Sequence, residues 1–303
     1  MTKPATKGSA LLDLSFVRRA GRTVIDRRLF AWPFVLTRGF YLDPERPDRL
    51  SLIVQTGSGA LHGEDSLVQR LELGPDTAVC LTNQGATSVH HADAGTRATE
   101  LVSLQVARGA SLEYLPEPRI LFPDAALSQQ LDIDCDWDAN GLVVDAFTMH
   151  APEAEQRTFR ELESVVCLRR SGGDPVLIDR SRLLSPDANV FRGARAFASA
   201  YLMPSSAVEL GGVQHRLTEA LNEISGVYGA ASVMPEEAGL VVRIVAPDLR
   251  SVRAAFERIK EIYRQSLPPD RTKRLPATVT SADPAAPEIA CVRPSSVETV
   301  SPL

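Results

Sequence analysis

The chain has 303 residues, enough to bury a core without disulfides or metal clips, and is 44% hydrophobic and 23% charged. Its formal net charge of −5 comes from both signs mixed along the chain, with no basic run to track phosphates, which argues against a nucleic-acid partner. Four cysteines, Cys80, Cys135, Cys167 and Cys291, form no CxxC pair and argue against both a zinc knuckle and a secreted disulfide framework.

Residues 1–10 carry Lys3 and Lys7 but no apolar run of secretory length, and they read as a disordered tail. No stretch approaches the roughly 20 apolar residues of a membrane span. A soluble, cytoplasmic protein with reduced thiols and no membrane partner is therefore expected.

Residues 11–196 read as a β-rich body. Leu67, Leu71 and Leu73 recur at odd positions, with Val68 breaking the alternation, and Gly74-Pro75-Asp76 then turns the chain into Ala78 to Thr82. A second unit runs from Leu101 to Val106, turns at Arg108-Gly109-Ala110 and continues from Leu112 to Leu115. A third takes Val165 to Leu168 through Ser171-Gly172-Gly173-Asp174 into Val176 to Ile178. Hairpins and solenoid coils fit this pattern equally. The turns leave no room for a crossover helix, which excludes a doubly wound fold.

Residues 197–275 read as a mixed α/β part of the same domain. Val213, Leu217, Leu221 and Ile224 line one helix face that Gly226 ends, and Gly239 to Val245 reads as a strand. A second helix over Leu249 to Leu267 carries the stripe Val252, Ala255, Phe256, Ile259 and Tyr263. Residues 276–303 are poor in apolar surface and read as a disordered tail. The expected fold class is mainly β, a β-helical or folded-sheet body with a few helices in its C-terminal part.

Candidate chemistry is sparse. His90 and His91 are adjacent and, in an extended chain, point to opposite faces, so one of them at most could join a ligand set. His62, His150 and His215 have no sequence partner at metal-ligand spacing. Asp132, Asp134 and Asp136 alternate with Ile133, Cys135 and Trp137, which puts three carboxylates on one strand face. That face is either plainly solvated or a weak, oxygen-only landing site for a divalent metal. No nucleophile elbow, phosphate loop or dinucleotide fingerprint is present. Pro116 and Pro118 remove two backbone donors, so the chain is expected to leave the sheet there as a stiff loop. Tyr114, Leu115, Ile120, Leu121 and Phe122 would then either pack on the sheet or meet a partner, with Tyr114, Leu115 and Phe122 the candidate contacts.

Three stretches resemble the urease accessory D/H family, in that family's order. They are GSGALHGEDSLVQRLEL from Gly57 to Leu73, LTNQGATSVH from Leu81 to His90, and LEYLPEPRILFPDA from Leu112 to Ala125. The last is the most specific, and Asp145-Ala146-Phe147 is a weaker fourth match. The departures are Ser88 and His90, where the family has Lys and Tyr, and Met149 to Phe159, which keeps neither glycine of a family turn. These fit a divergent paralogue. The resemblance implies a non-enzymatic scaffold that binds apo-urease with the accessory F protein and the accessory G GTPase. It further implies that the scaffold helps insert nickel, meeting Ni²⁺ only in passing and holding no tight cofactor. The metal candidates are then Asp132, Asp134, Asp136 and His90. A competing reading is a β-solenoid carbohydrate-active enzyme using carboxylates such as Asp132, Asp134 or Asp145.

Overall fold

The computed structural model describes residues 9–150, 157–187 and 193–268. Both expected tails fall largely outside this range, as does Cys291. The first strand begins at Ser9, inside the expected N-terminal tail, and Ala10 is buried.

The chain opens with β1 (Ser9–Arg19), β2 (Arg22–Phe30) and β3 (Phe34–Leu36), and then enters a series of coils. The first described coil strands are β4 (Leu50–Thr56) and β5 (Ala60–Leu61). One full coil is β6 (Ser66–Leu73), β7 (Ala78–Asn83) and β8 (Thr87–Val89), and the next is β9 (Ala98–Val106), β10 (Ser111–Leu115) and β11 (Arg119–Leu121). A third uses β12 (Ala126–Cys135) and the long β13 (Asn140–Met149). Then come β14 (Glu161–Arg170), β15 (Pro175–Leu184) and β16 (Ala196–Met203), so residue 197 lies inside a strand and marks no boundary.

Two sheets result. The first has seven strands in the order β15-β14-β12-β9-β6-β1-β2, and the second has eleven. The spine of the second is β4, β7, β10 and β13, all parallel. Within the first sheet the four inner pairings are parallel, while β1–β2 and β14–β15 at its two ends are antiparallel. Parallel neighbours normally need a crossover of a dozen or more residues. Here the strand in the opposite sheet supplies it, so β6 returns as β9 after passing through β7 and β8.

This resolves the two readings of the strand-turn-strand units. The turns at Gly74 and Gly109 are corners that carry the chain from one sheet to the other, whereas the turn at residues 171–174 closes a true hairpin. Corners stack closely. Gly109 has φ +73°, and a Cβ there would lie 2.1 Å from Oδ1 of Asp76 in the coil before it.

Between the sheets lies a core built from alternate strand residues, including Leu12, Leu14, Leu71, Leu104, Ile133 and Leu168. A second core forms behind the larger sheet, where Leu142, Val144 and Ala146 of β13 meet the C-terminal helices. Those are α1 (Leu210–Asn222) and α2 (Leu249–Ser266), and they flank β17 (Tyr228–Val233) and β18 (Leu240–Ala246). The stripe expected on α2 is the buried one: Val252, Ala255, Ile259 and Tyr263 are in the core and Phe256 packs against it. No helix among the described residues is long and apolar enough to cross a membrane.

A buried ion cluster fastens α2 to the body. Glu113 accepts two 2.7 Å bonds from Arg264 and lies 3.2 Å from Arg49, which also pairs with Asp43 at 2.9 Å. Burial alone would raise the Glu113 carboxyl, but the two guanidiniums outweigh it and hold it below its ordinary value.

A buried polar row between the sheets

Along β9 the inward residues are Ala98, Glu100, Val102, Leu104 and Val106, so one charge faces an apolar interior. The register then sets Glu100 beside Gln129 of β12, Gln129 beside Ser164 of β14, and Ser164 beside Ser181 of β15. Four polar side chains thus occupy one row that crosses the first sheet from its middle to its edge.

The second sheet answers this row. Arg119 of β11 gives Glu100 bonds of 2.5 and 3.0 Å, and Gln69 donates a third at 3.0 Å. Both partners of the ion pair are buried, and Arg119 also donates to the Glu117 carbonyl. Burial opposes the Arg119 charge, but Glu100 and Asp145 outweigh it and hold the guanidinium protonated. Asp145 comes from the inward face of β13 and accepts 2.5 Å from Gln129, which also donates 2.8 Å to Ser164. Burial raises the Asp145 carboxyl above its ordinary value, with Arg119 opposing. At the far end Asp179 of β15 accepts from the Tyr201 hydroxyl and from Arg243. Burial first, and the Asp179 bond second, push the Tyr201 phenol up.

Two cavities follow this row. A small one of about 20 Å³ is lined by Glu100, Tyr114, Arg119, Gln129 and Asp145, which is room for about one water. A larger one of about 250 Å³ is lined by Asp145, Ser164, Asp179, Ser181, Tyr201 and Arg243. Asp145 lines both, which is why a carboxylate so deep keeps some accessible surface. The arrangement sets three carboxylates against two guanidiniums along one path. Hard oxygen donors of this kind can pass a proton or hold a divalent cation loosely.

The expected site residues lie elsewhere. Asp132 and Asp134 do share the outer face of β12, and Asp136 follows the strand. Each is already engaged: Asp132 accepts from Gln130, Asp134 from the Gly172 amide, and Asp136 from the Ser171 hydroxyl and the Asp138 amide. Among the described residues no three His, Cys, Asp or Glu side chains converge as a metal site. Asp145 faces inward while Asp132 and Asp134 face out, so these carboxylates cannot flank one glycosidic bond.

Tyr114 is a core residue and not a partner contact. It sits in β10 at 2% exposure, between the sheets, because the proline interruption begins only after Leu115. The chain leaves the sheet for residues 116–118 alone and re-enters as β11. Leu115 packs against the helix-side core. Phe122 lies in a column of rings at the corner after β5, β8 and β11: His62 stacks on His90 at 5.2 Å, His90 lies tilted against Phe122 at 4.8 Å, and Phe122 tilted against His150 at 4.4 Å. His91 points away toward Asp93 and Asp124. Parallel coils therefore bring together three histidines that sequence spacing kept apart.

A family model for the UreD urease accessory protein matches residues 8–276. The chain is 53% identical over 275 residues to urease accessory protein UreD 2 of Bradyrhizobium sp. strain BTAi1, covering 91% of this chain and 96% of the relative. It is 33% identical over 254 residues to UreD 1 of the same strain, covering 84% and 90%. It is 32% identical over 255 residues to UreD of Mycolicibacterium smegmatis, covering 81% and 90%. Matches of this extent leave one assignment: the chain belongs to the UreD urease accessory protein family and is an accessory protein of urease, not itself an enzyme.

Proposed function

We propose that the protein acts in the cytoplasm in urease maturation, as a scaffold that binds apo-urease together with the accessory F protein and the accessory G GTPase. Ni²⁺ crosses it along the row from Asp179 to Glu100. The observation that supports this reading is the row of carboxylates lining two cavities between the sheets, with Glu100 buried and Asp145 and Asp179 partly buried, beside an apolar core. Burying charge is costly and is kept only where it is paired or used. Glu100 and Asp179 are paired by arginines, while Asp145 is held by neutral Gln129 and keeps a carboxylate in both cavities. Oxygen ligands hold nickel weakly, which suits transfer. The outer aspartates and His90 are left off this route because none of them lines either cavity.

The test uses Ser181→Trp, which fills the mouth of the larger cavity from an exposed position. Pull-down of urease and the F and G proteins should be unchanged, while urease activation at limiting nickel falls several-fold. Full activation by this variant and by Asp145→Leu would sink the route; loss of every pull-down from the wild type would sink the scaffold.

A further inference from the structure

The segment joining the free edges of the two sheets is unlike the rest of the surface. Strand β2 ends the first sheet and β3 ends the second. Between and beside them Leu29, Phe30, Trp32 and Val35 are 53, 43, 71 and 37% exposed. Trp32 is the most exposed of the four and yet is seated: its ring lies on Gly57, where a Cβ would come within 2.3 Å of it. The main chain around it is also fixed, since the Phe34 amide donates to Ala31 and the Gly57 amide to Pro33. An exposed tryptophan held in one pose loses little entropy on contact.

The same region is cationic. Arg28 lies over Phe30 at 5.4 Å and also donates to the Leu36 carbonyl at 2.7 Å, Arg38 lies over Phe40 at 5.2 Å, and Arg22 lies over Tyr41 at 5.1 Å at the opposite end of β2. These are three of the four cation–π contacts among the described residues. Most other arginines here are paired with carboxylates, for example Arg18 with Asp48, Arg49 with Asp43 and Arg119 with Glu100. Arg22, Arg28 and Arg38 have no carboxylate within ion-pair distance among the described residues, in a chain of net charge −5. Arginine on an edge strand commonly only discourages strand pairing. That role does not explain the large apolar side chains beside it, which would oppose it.

We infer that residues 28–38 form a docking surface for an acidic, partly apolar segment of a partner protein, with Trp32 as its anchor. Guanidiniums left over aromatic rings receive carboxylates, the exposed rings receive apolar side chains, and the open edges of β2 and β3 can add main-chain hydrogen bonds to an extended segment. A second copy of this chain is disfavoured as the occupant, because apposing the same corner sets cation against cation. The inference rests on the scaffold reading above in taking its partner from among apo-urease and the F and G proteins.

The experiment measures binding of the full chain to each of these three proteins separately, for wild type, Trp32→Ala and Arg38→Glu. For one of the three, affinity should fall by about 30-fold with Trp32→Ala and clearly with Arg38→Glu, and wild-type affinity should weaken as salt rises. Melting temperatures equal to wild type separate this from misfolding, and neither side chain is in the core. Unchanged affinity of both variants for every partner overturns the docking surface while leaving the scaffold intact. Wild-type protein that binds none of the three removes the scaffold and this surface with it. Two further results overturn the proposal in favour of another occupant: Trp32-dependent self-association in sedimentation velocity, or Trp32-dependent retention on phosphatidylglycerol vesicles.

Discussion

Strand β12 carries two sets of polar residues that behave differently. On its outer face Asp132 and Asp134 are half-exposed and bond to their own strand or to the β14–β15 turn. On its inner face the lone polar residue Gln129 joins Asp145 to Ser164 across the gap between the sheets. The outer set has more charge and the inner set more consequence. Water screens the outer carboxylates and asks nothing of their neighbours, whereas each inner group must be matched by a partner or an adjoining cavity. Chemistry is thus marked by the polar residue on the apolar face.

The largest effect should come from unpairing the inner face. Arg119→Met leaves Glu100 buried without its cation and should cost about 3 to 5 kcal/mol in chemical denaturation. The double variant Glu100→Gln, Arg119→Met should recover much of this loss; a double as unstable as the single would mean that packing, and not charge, is what Arg119 supplies.

Tyr114→Ala should cost a similar amount, about 3 to 5 kcal/mol, because the ring fills the gap between the sheets. A loss below roughly 1 kcal/mol, measured the same way, would return Tyr114 to the surface.

Asp145→Asn should act in the opposite direction. Burial raises the Asp145 carboxyl, so folding favours its protonated form. That contribution is present below the ordinary carboxylate pKa of about 3.9 and is lost as pH climbs through the higher folded value. Asparagine escapes the loss, so at pH 7 the variant should gain about 1 kcal/mol, or roughly 2 to 4 °C in melting temperature. Near pH 3 the two proteins should melt together. A variant less stable at pH 7 would mean that Asp145 is charged and well paired in the fold.

The smallest effect belongs to the outer face. Changing Asp132, Asp134 and Asp136 to Asn should cost within about 1 kcal/mol in total and leave urease activation at limiting nickel unchanged. A marked fall in activation would move the metal path to the outside of the sheet.

Much of this architecture was written in the local pattern. Glycine turns, short alternating runs and the stripes on α1 and α2 mark the elements, because each depends on neighbours close in sequence. The parallel stacking was not, since a corner and a hairpin need the same turn residues. The inner site was half legible. Glu100 interrupts the inward series Ala98, Val102, Leu104 and Val106, and Asp145 interrupts Val143 and Phe147, so a charge in the apolar phase was the available signal. Their convergence, like that of His62, His90 and His150, depends on register between coils, which no single stretch encodes.

The antiparallel strands at both ends of the first sheet bear on how this architecture can change length. Inner coils are related by translation, each adding roughly 30 residues and one strand spacing of about 4.8 Å. The end hairpins β1–β2 and β14–β15 break that translation. A coil gained or lost by recombination between them would leave both hairpins chemically intact and alter only the distance from one to the other. Whatever binds at one end and whatever opens at the other could then be kept while their separation evolves in fixed steps, as marks on a ruler.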